Sequence, residues 1–306
     1  MNSIGNTFRL TTFGESHGSA VGGVLDGCPA GRVLDLPFIR DELRRRRDGD
    51  TPSALTTARK EPDEVEWLSG TYQGRTLGTP IAFLVRNRDC RSEDYAALAD
   101  CCRPGHADYC YQQKYGFRDP RGGGRASGRE TVARVVAGAI AKQFLRDKGI
   151  SISATAGRRQ VCCTIRGLPA GIGDPVFDRL NARLAHAALS IPSAMAFAVG
   201  QPADSWMLPP EEFPDEWTER GSGDSLTRTN HCGGIQGGIS NGMPVVFHVG
   251  FHTPATRPDG MACRKGDGSI AAVAPNGRHD RDHLSRLPVI VEAMAAITIA
   301  DMASPL

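Results

Sequence analysis

The chain has 306 residues, 40% hydrophobic and 23% charged, with a formal net charge of +2 and a mean hydropathy of −0.30. These values exclude a disordered, collagen-like or coiled-coil protein and leave a globular chain long enough for a sizeable core. No window approaches the ~18 consecutive apolar residues of a membrane span. The opening residues, MNSIGNTFRLTTFGESHG, lack the basic and apolar regions of a signal peptide, so the expected location is the cytoplasm.

Nine cysteines, an odd number with two adjacent pairs and no secretion signal, read as free thiols in a reducing compartment. No CxxC occurs, so no structural zinc or other metal is expected. Of the 36 basic residues, 31 are arginine, the side chain suited to planar, bidentate recognition of carboxylate and phosphate. An Arg-, Ala- and Gly-rich chain also arises from genomic base composition alone.

In chain order, LRRRRDGD at 43–50 is the first charged cluster. It reads as a solvated helix end, a nucleic-acid patch or one wall of a pocket for a small polyanion; one short run in a nearly neutral chain argues weakly for nucleic acid. IAFLVRN at 81–87 reads as a strand. Gly122, Gly123 and Gly124 lead through Arg125, Ala126, Ser127, Gly128 and Arg129 toward a helix beginning near Thr131, where Val132, Val135, Val136, Ala139, Ile140 and Phe144 recur at helical spacing. Glycines before a helix start either let backbone N–H groups converge on an anion or form a plain flexible turn; Arg125 and Arg129 favour the anion. A second helix is expected over 175–189. Residues 201–229, rich in Pro, Asp, Glu and Ser, read as an exposed excursion within one domain. CGGIQGGISNG at 232–242 permits close backbone approach to a ligand or serves as a turn-rich connection. PVVFHVGF at 244–251 reads as a strand, and LPVIVEAMAAITIADM at 287–302 as a buried helix, apolar nearly all round. Strands mixed with helices imply an α/β or α+β fold.

His17, His106 and His279 lie among Gly, Ser, Arg and Asp, settings suited to proton transfer. His186 and His248 fall in expected regular elements and read as structural. His252 is open.

The strings NTFRLTTFGESHG (6–18), LTTARKEPDEVEWLSG (55–70), RPGHADYCYQQKYGFRDPRGGGRASGRET (103–131), NHCGGIQGGISNGMP (230–244) and GRHDRDHLSRLPVIVEAMAA (277–296), in this order, resemble the chorismate synthase family. The resemblance implies an α+β fold, a β-α-β sandwich with antiparallel sheets inside and helices outside, in a single domain over 1–306 that forms a homotetramer. It implies 1,4-elimination of phosphate from 5-enolpyruvylshikimate 3-phosphate to give chorismate, a carbon–oxygen lyase reaction needing reduced FMN, with NADPH as the possible reductant. The partners implied are a small anionic substrate, with neither nucleic acid nor membrane.

Carried over by position, His17 resembles the histidine beside the departing phosphate, His106 the histidine beside the flavin ring, and Asp280 the aspartate that helps remove the substrate hydrogen. Ser16, Arg46, Arg47 and Arg129 resemble substrate contacts. Arg125, Ala126, Ser127, Pro192, Ser193, Gly237, His252, Thr253, Pro254, Ala255, Thr256 and Arg278 resemble flavin contacts. The chain departs from the family in a shortened middle segment near 152–161, in Arg-Ala-Ser for Arg-Ser-Ser, in GRHDR for GRHDP, and in His252 where the family has lysine. An arginine linked to NADPH is absent after the Arg run. These departures imply weaker FMN binding and allow a catalytically silent flavin- or anion-binding relative as the alternative reading.

Overall fold

Alternating apolar positions place Leu10, Val21, Leu25, Ile81, Phe83 and Val85 on one buried face of an antiparallel sheet. The structure, a computed structural model, describes residues 1–49, 61–219, 226–256, 259–274 and 283–304. This first sheet has the strand order Ser3–Ile4, Arg9–Phe13, Ala20–Asp26, Ile81–Arg86, Val65–Trp67. A second antiparallel sheet runs Ala194–Val199, Val245–Phe251, Gln160–Arg166, Ser151–Ala156. Its buried face carries Val161, Cys163, Ile165, Val245, Phe247 and Val249 in register.

Among the described residues are five α-helices: α1 (Leu36–Asp48), α2 (Asp108–Tyr115), α3 (Thr131–Asp147), α4 (Leu180–Leu189) and α5 (Leu287–Met302). Helix α1 starts where the Asp35 side chain accepts Phe38 N at 3.0 Å, beside a proline in the first turn, and ends at Gly49. Helix α3 packs on the first sheet, α5 on the second, and the two helices pack on each other. At their crossing, a Cβ on Gly138 would lie 2.3 Å from Ala293 Cβ, so only glycine permits the approach. Helix α5 is buried from Leu287 through Asp301.

The α+β class, the antiparallel sheets and the β-α-β layering agree with expectation; within that sandwich the helices lie between the two sheets, not outside them. An apolar helix such as α5 must be covered on all sides, and the second sheet with α1, α3 and α4 around it does so.

The centre also holds charges. Lys142 and Arg45 (Nη1 2.8 Å to each partner) bridge Glu42 and Glu292, and Glu292 accepts Ala154 N at 2.8 Å. Burial works against ionisation of Glu292, but the Arg45 bonds and the Lys142 charge outweigh it and hold the carboxyl below its usual range. Asp301 of α5 accepts the backbone N–H groups of Asn6, Thr7 and Phe8 at 2.7–3.0 Å, fixing the N-terminal strand to the centre.

Helix α4 begins five residues later than the apolar spacing over 175–189 suggests. Asp174 N bonds Asp178 O in a turn, Arg179 is extended, and Leu180 N is taken by Gly238 O at 2.8 Å. Val176 and Phe177 consequently point into solvent. The strand expectations at 81–87 and 244–251 and the helices from Thr131 and over 287–302 match within a residue. All nine cysteines are free. The shortened middle is a hairpin, with Gly157 N bonding Gln160 O at 2.8 Å between the strands Ser151–Ala156 and Gln160–Arg166.

A small lobe completes the fold. Its sheet, Ile270–Val273, Met261–Lys265, Cys101–Cys102, closes over Leu98, Cys101, Met261 and Cys263. The loop carrying Arg103 and His106 leaves directly from this lobe.

Candidate functional site

A cleft of about 680 Å³ opens between the lobe, the end of α1, the approach to α3 and the start of α5. Among the described residues, seven arginines line it (Arg46, Arg47, Arg103, Arg125, Arg129, Arg134, Arg286) with His106, His252 and His283, against one carboxylate, Glu61. Such a cleft concentrates anions. Ile191, Pro192, Leu287, Ile290 and Ala126 add an apolar strip to the lining.

The Arg run divides its tasks. Arg45 turns into the protein centre, while Arg46 and Arg47 face the cleft. Arg46 Nη2 and Arg129 Nη1 both donate to Asp63, a carboxylate only 2% exposed. Arg129 also donates Nε to Asn87 Oδ1 at 2.8 Å and Nη2 to Arg86 O at 3.2 Å. Burial opposes ionisation of Asp63, yet the charges of Arg46 and Arg129 and their bonds prevail and lower its pKa. Arg46 Nε is buried and bonds nothing among the described residues. The run is thus split between centre and cleft.

On the lobe side, Arg103 makes a two-point contact with Asp108, Nε to Oδ2 at 2.8 Å and Nη2 to Oδ1 at 3.0 Å. His106 Nδ1 lies 2.9 Å from Asp108 Oδ1. Burial again raises, and the His106 and Arg103 bonds more than compensate, so Asp108 is held far below the usual carboxylate range. Arg103 Nη2 further donates to Gly122 O at 2.6 Å.

Gly122 has φ +69°, and a Cβ there would come within 2.5 Å of His17 Cδ2 and 2.8 Å of Ser16 Oγ. Glycine is therefore required for conformation and for space. His17 and Ser16 stand directly behind this glycine and do not line the cleft themselves. His17 Nδ1 is 3.1 Å from Ser92 Oγ, and its ring meets Tyr95, a cleft residue, edge-on at 4.9 Å.

The glycine loop does not run straight into α3. Two short 3-10 turns, Gly124–Ala126 and Gly128–Glu130, intervene. Ser127 Oγ caps the second by accepting Arg129 N at 3.2 Å, and Arg125 reaches away to Thr12 and Gly14 carbonyls. Gly123, Arg125, Ala126, Ser127, Gly128 and Arg129 all line the cleft. A Cβ on Gly128 would meet nothing within 4 Å, so space is open there.

The opposite wall holds Pro192, Ser193, His252, Pro254, Ala255 and Thr256. His252 N donates to Ser193 O at 3.0 Å, and its Nδ1 donates to Thr253 O at 2.5 Å, leaving Nε2 as the ring's remaining polar atom. Ser193 has φ +71° and its Oγ is 2.7 Å from His283 Nε2. Thr253 joins this wall through the His252 bond but is not a lining residue. Gly237 lies elsewhere, in a second hollow of about 520 Å³ with Trp206, Phe213, His231 and Cys232. Burial raises the Cys232 thiol to about 11, which makes it a poor nucleophile. Asp280 and Arg278 lie outside the described residues.

His248 bonds Gly200 O at 3.1 Å and is structural, as expected. Residues that sequence reasoning did not single out are Asp63, Arg103, Asp108, Arg134, His283 and Arg286. Arg103 and Asp108 flank His106 in RPGHAD, a signal that was available. His283 and Arg286 carry no local motif.

A family model described as chorismate synthase matches residues 8–158 and 155–304, two blocks meeting in the turn of the Ser151–Arg166 hairpin. The chain is 42% identical over 350 residues to a chorismate synthase of Azobacteroides pseudotrichonymphae, covering 98% of each chain. It is 43% identical over 349 residues to one from Phocaeicola vulgatus, covering 98% of this chain and 97% of that one. A solved structure described as chorismate synthase superposes with a TM-score of 0.71 at 26% identity, covering 98% of this chain and 92% of the other.

Proposed function

Because the chain belongs to the chorismate synthase family, we propose that the arginine- and histidine-lined cleft is where it forms chorismate, its activity, by 1,4-elimination of phosphate from 5-enolpyruvylshikimate 3-phosphate. The observation that carries this reading is the cleft's charge: among the described residues seven arginines and three histidines face one carboxylate, for a substrate bearing a phosphate and two carboxylates. The silent alternative draws no support from the family or its curated relatives.

Arg46 and Arg47 bind the substrate anions; the buried Arg46 Nε offers a donor that an anion satisfies. Arg129, held by Asp63, Asn87 and Arg86, acts by fixing Arg46 through the shared carboxylate and by its charge at the wall. His17 supplies a proton to the leaving phosphate, and Ser16 and Gly122 hold the ring's position. Asp280 removes the substrate hydrogen.

The cleft suits a flavin mononucleotide: the apolar strip matches a ring system, the open space at Gly128 allows close approach, and His252, Thr256 and Ser127 surround it with donors. His106, Ala126, Ser127, Pro192, Ser193 and the 252–256 segment would hold it, with Arg125 and Arg278 as further contacts; Gly237, in its separate hollow, would not. Reduced FMN supplies electron density as phosphate departs. NADPH is the proposed external reductant, the cytoplasm the location and a homotetramer the assembly. The test is anaerobic turnover with reduced FMN, comparing the wild type with His17→Ala; loss of phosphate release in the folded variant is the expected result.

A further inference from the structure

We propose that Asp108 is a positioning residue that fixes His106 in one ring orientation, with its proton on Nδ1 and Nε2 presented to the cleft. The proposal rests on the reading of the cleft as the reaction site. His106 Nδ1 is buried, hydrogen-bonds nothing else among the described residues, and stands 2.9 Å from Asp108 Oδ1, within ion-pair reach although the contact is bent out of hydrogen-bond geometry. The same carboxylate, 5% exposed, accepts Arg103 Nε at 2.8 Å, Arg103 Nη2 at 3.0 Å and Arg103 backbone N at 3.1 Å, and faces Arg118 Nη1 at 3.6 Å.

Two guanidinium groups keep this carboxylate ionised, and an ionised carboxylate only accepts hydrogen bonds. A bare Nδ1 lone pair at this distance would be repelled by the carboxylate, so the ring's proton is favoured on Nδ1. In the neutral ring Nε2 is left as a lone-pair acceptor, and in the protonated ring it becomes a donor, in both cases at the cleft. His106 can thus take and return a proton at Nε2 without turning its ring.

The support reaches beyond the dyad. Arg118 Nη2 donates to the carbonyls of Leu98, Ala99 and Cys101 at 2.9–3.1 Å, fastening the carboxylate's second cation to the lobe. Arg103 extends in the other direction, to Gly122 O at 2.6 Å and Thr256 Oγ1 at 3.3 Å. One carboxylate therefore sets the orientation of His106 together with the glycine that backs His17 and the start of the opposite wall.

The experiment uses the full-length protein labelled with ¹⁵N-histidine, with His106 assigned by its loss in His106→Gln. Long-range ¹H–¹⁵N spectra of the neutral ring are expected to show a protonated Nδ1 and a bare Nε2. The reverse pattern overturns the proposal, and because it is read in the wild type it does not depend on a variant folding. Asp108→Asn retains one acceptor oxygen, for which Arg103 and His106 compete. It is expected to lose the single-tautomer signature and to lower kcat by roughly 10- to 100-fold with KM little changed, as for other partners that orient a functional imidazole. Asp108→Glu, still acceptor-only, recovers part of that loss. Wild-type kcat and tautomer in Asp108→Asn contradict the assignment. Wild-type turnover in His106→Gln instead overturns the reading of the cleft beneath it.

Discussion

The two walls of the cleft are built differently. On the side from Arg103 to Arg129, nearly every charged side chain is tied to another: Arg103 and His106 to Asp108, Arg46 and Arg129 to Asp63, Arg134 to Glu130. On the side from Ser190 to Thr256, the backbone is fixed but the side chains are sparsely held; His252 is exposed and spends its Nδ1 on the neighbouring Thr253 carbonyl. The first wall is preorganised, with its reorganisation cost met during folding. The second tolerates substitution. The resemblance places one departure there, His252 for lysine, and one in the first wall, Ala126 for serine, while RPGHAD and its ion pairs are whole.

If the comparison is right, changes in the first wall damage chemistry and stability, and changes in the second adjust affinity. The largest effect is expected for His106→Ala, a loss of about 10²- to 10⁴-fold in kcat, measured by phosphate release. Asp63→Ala removes the shared counter-charge of Arg46 and Arg129 and is expected to destabilise the fold by about 3–5 kcal/mol, read from denaturant unfolding. Gly122→Ala forces a left-handed backbone on a residue with a side chain and drives Cβ into His17. A cost of about 1–3 kcal/mol is expected, with a fall in kcat and little change in FMN affinity.

Acid should expose the same asymmetry. Asp63, Asp108 and Glu292 have pKa values lowered in the folded state, so unfolding takes up protons at acid pH. Their stabilisation is complete above the ordinary carboxylate range and is lost as pH falls below about 4. Tm measured against pH should be flat near neutrality and drop on the acid side; a flat acid limb removes the ion pairs from the account. The smallest effect is expected at the second wall, where His252→Lys restores a permanent cation and tightens FMN binding by no more than about tenfold. Calorimetric titration showing unchanged affinity separates His252 from the flavin.

Periodicity was enough to read α3, α5 and the central strands, because burial on one face or all round is written in the spacing of apolar residues. It misled at Val176 and Phe177, where apolar residues continue a helical pattern that a turn and the Gly238 carbonyl interrupt. The layer order was not legible either: α5 is apolar all round, but nothing in its spacing says that sheets cover it. At the site, motif residues such as His106, Ser127 and Thr256 converge on one cleft, whereas His283 and Arg286 enter it only because the start of α5 is brought there by tertiary packing. Gly237 shares a glycine-rich motif but sits in a separate hollow, which local sequence could not foretell.

The most direct measurement is anaerobic turnover of 5-enolpyruvylshikimate 3-phosphate with reduced FMN, following chorismate absorbance and phosphate release together in wild type and His106→Ala. The account predicts equal amounts of both products from the wild type and almost none from the folded variant. Wild-type protein that is folded and binds FMN yet releases no phosphate, or a variant that turns over normally, would contradict it.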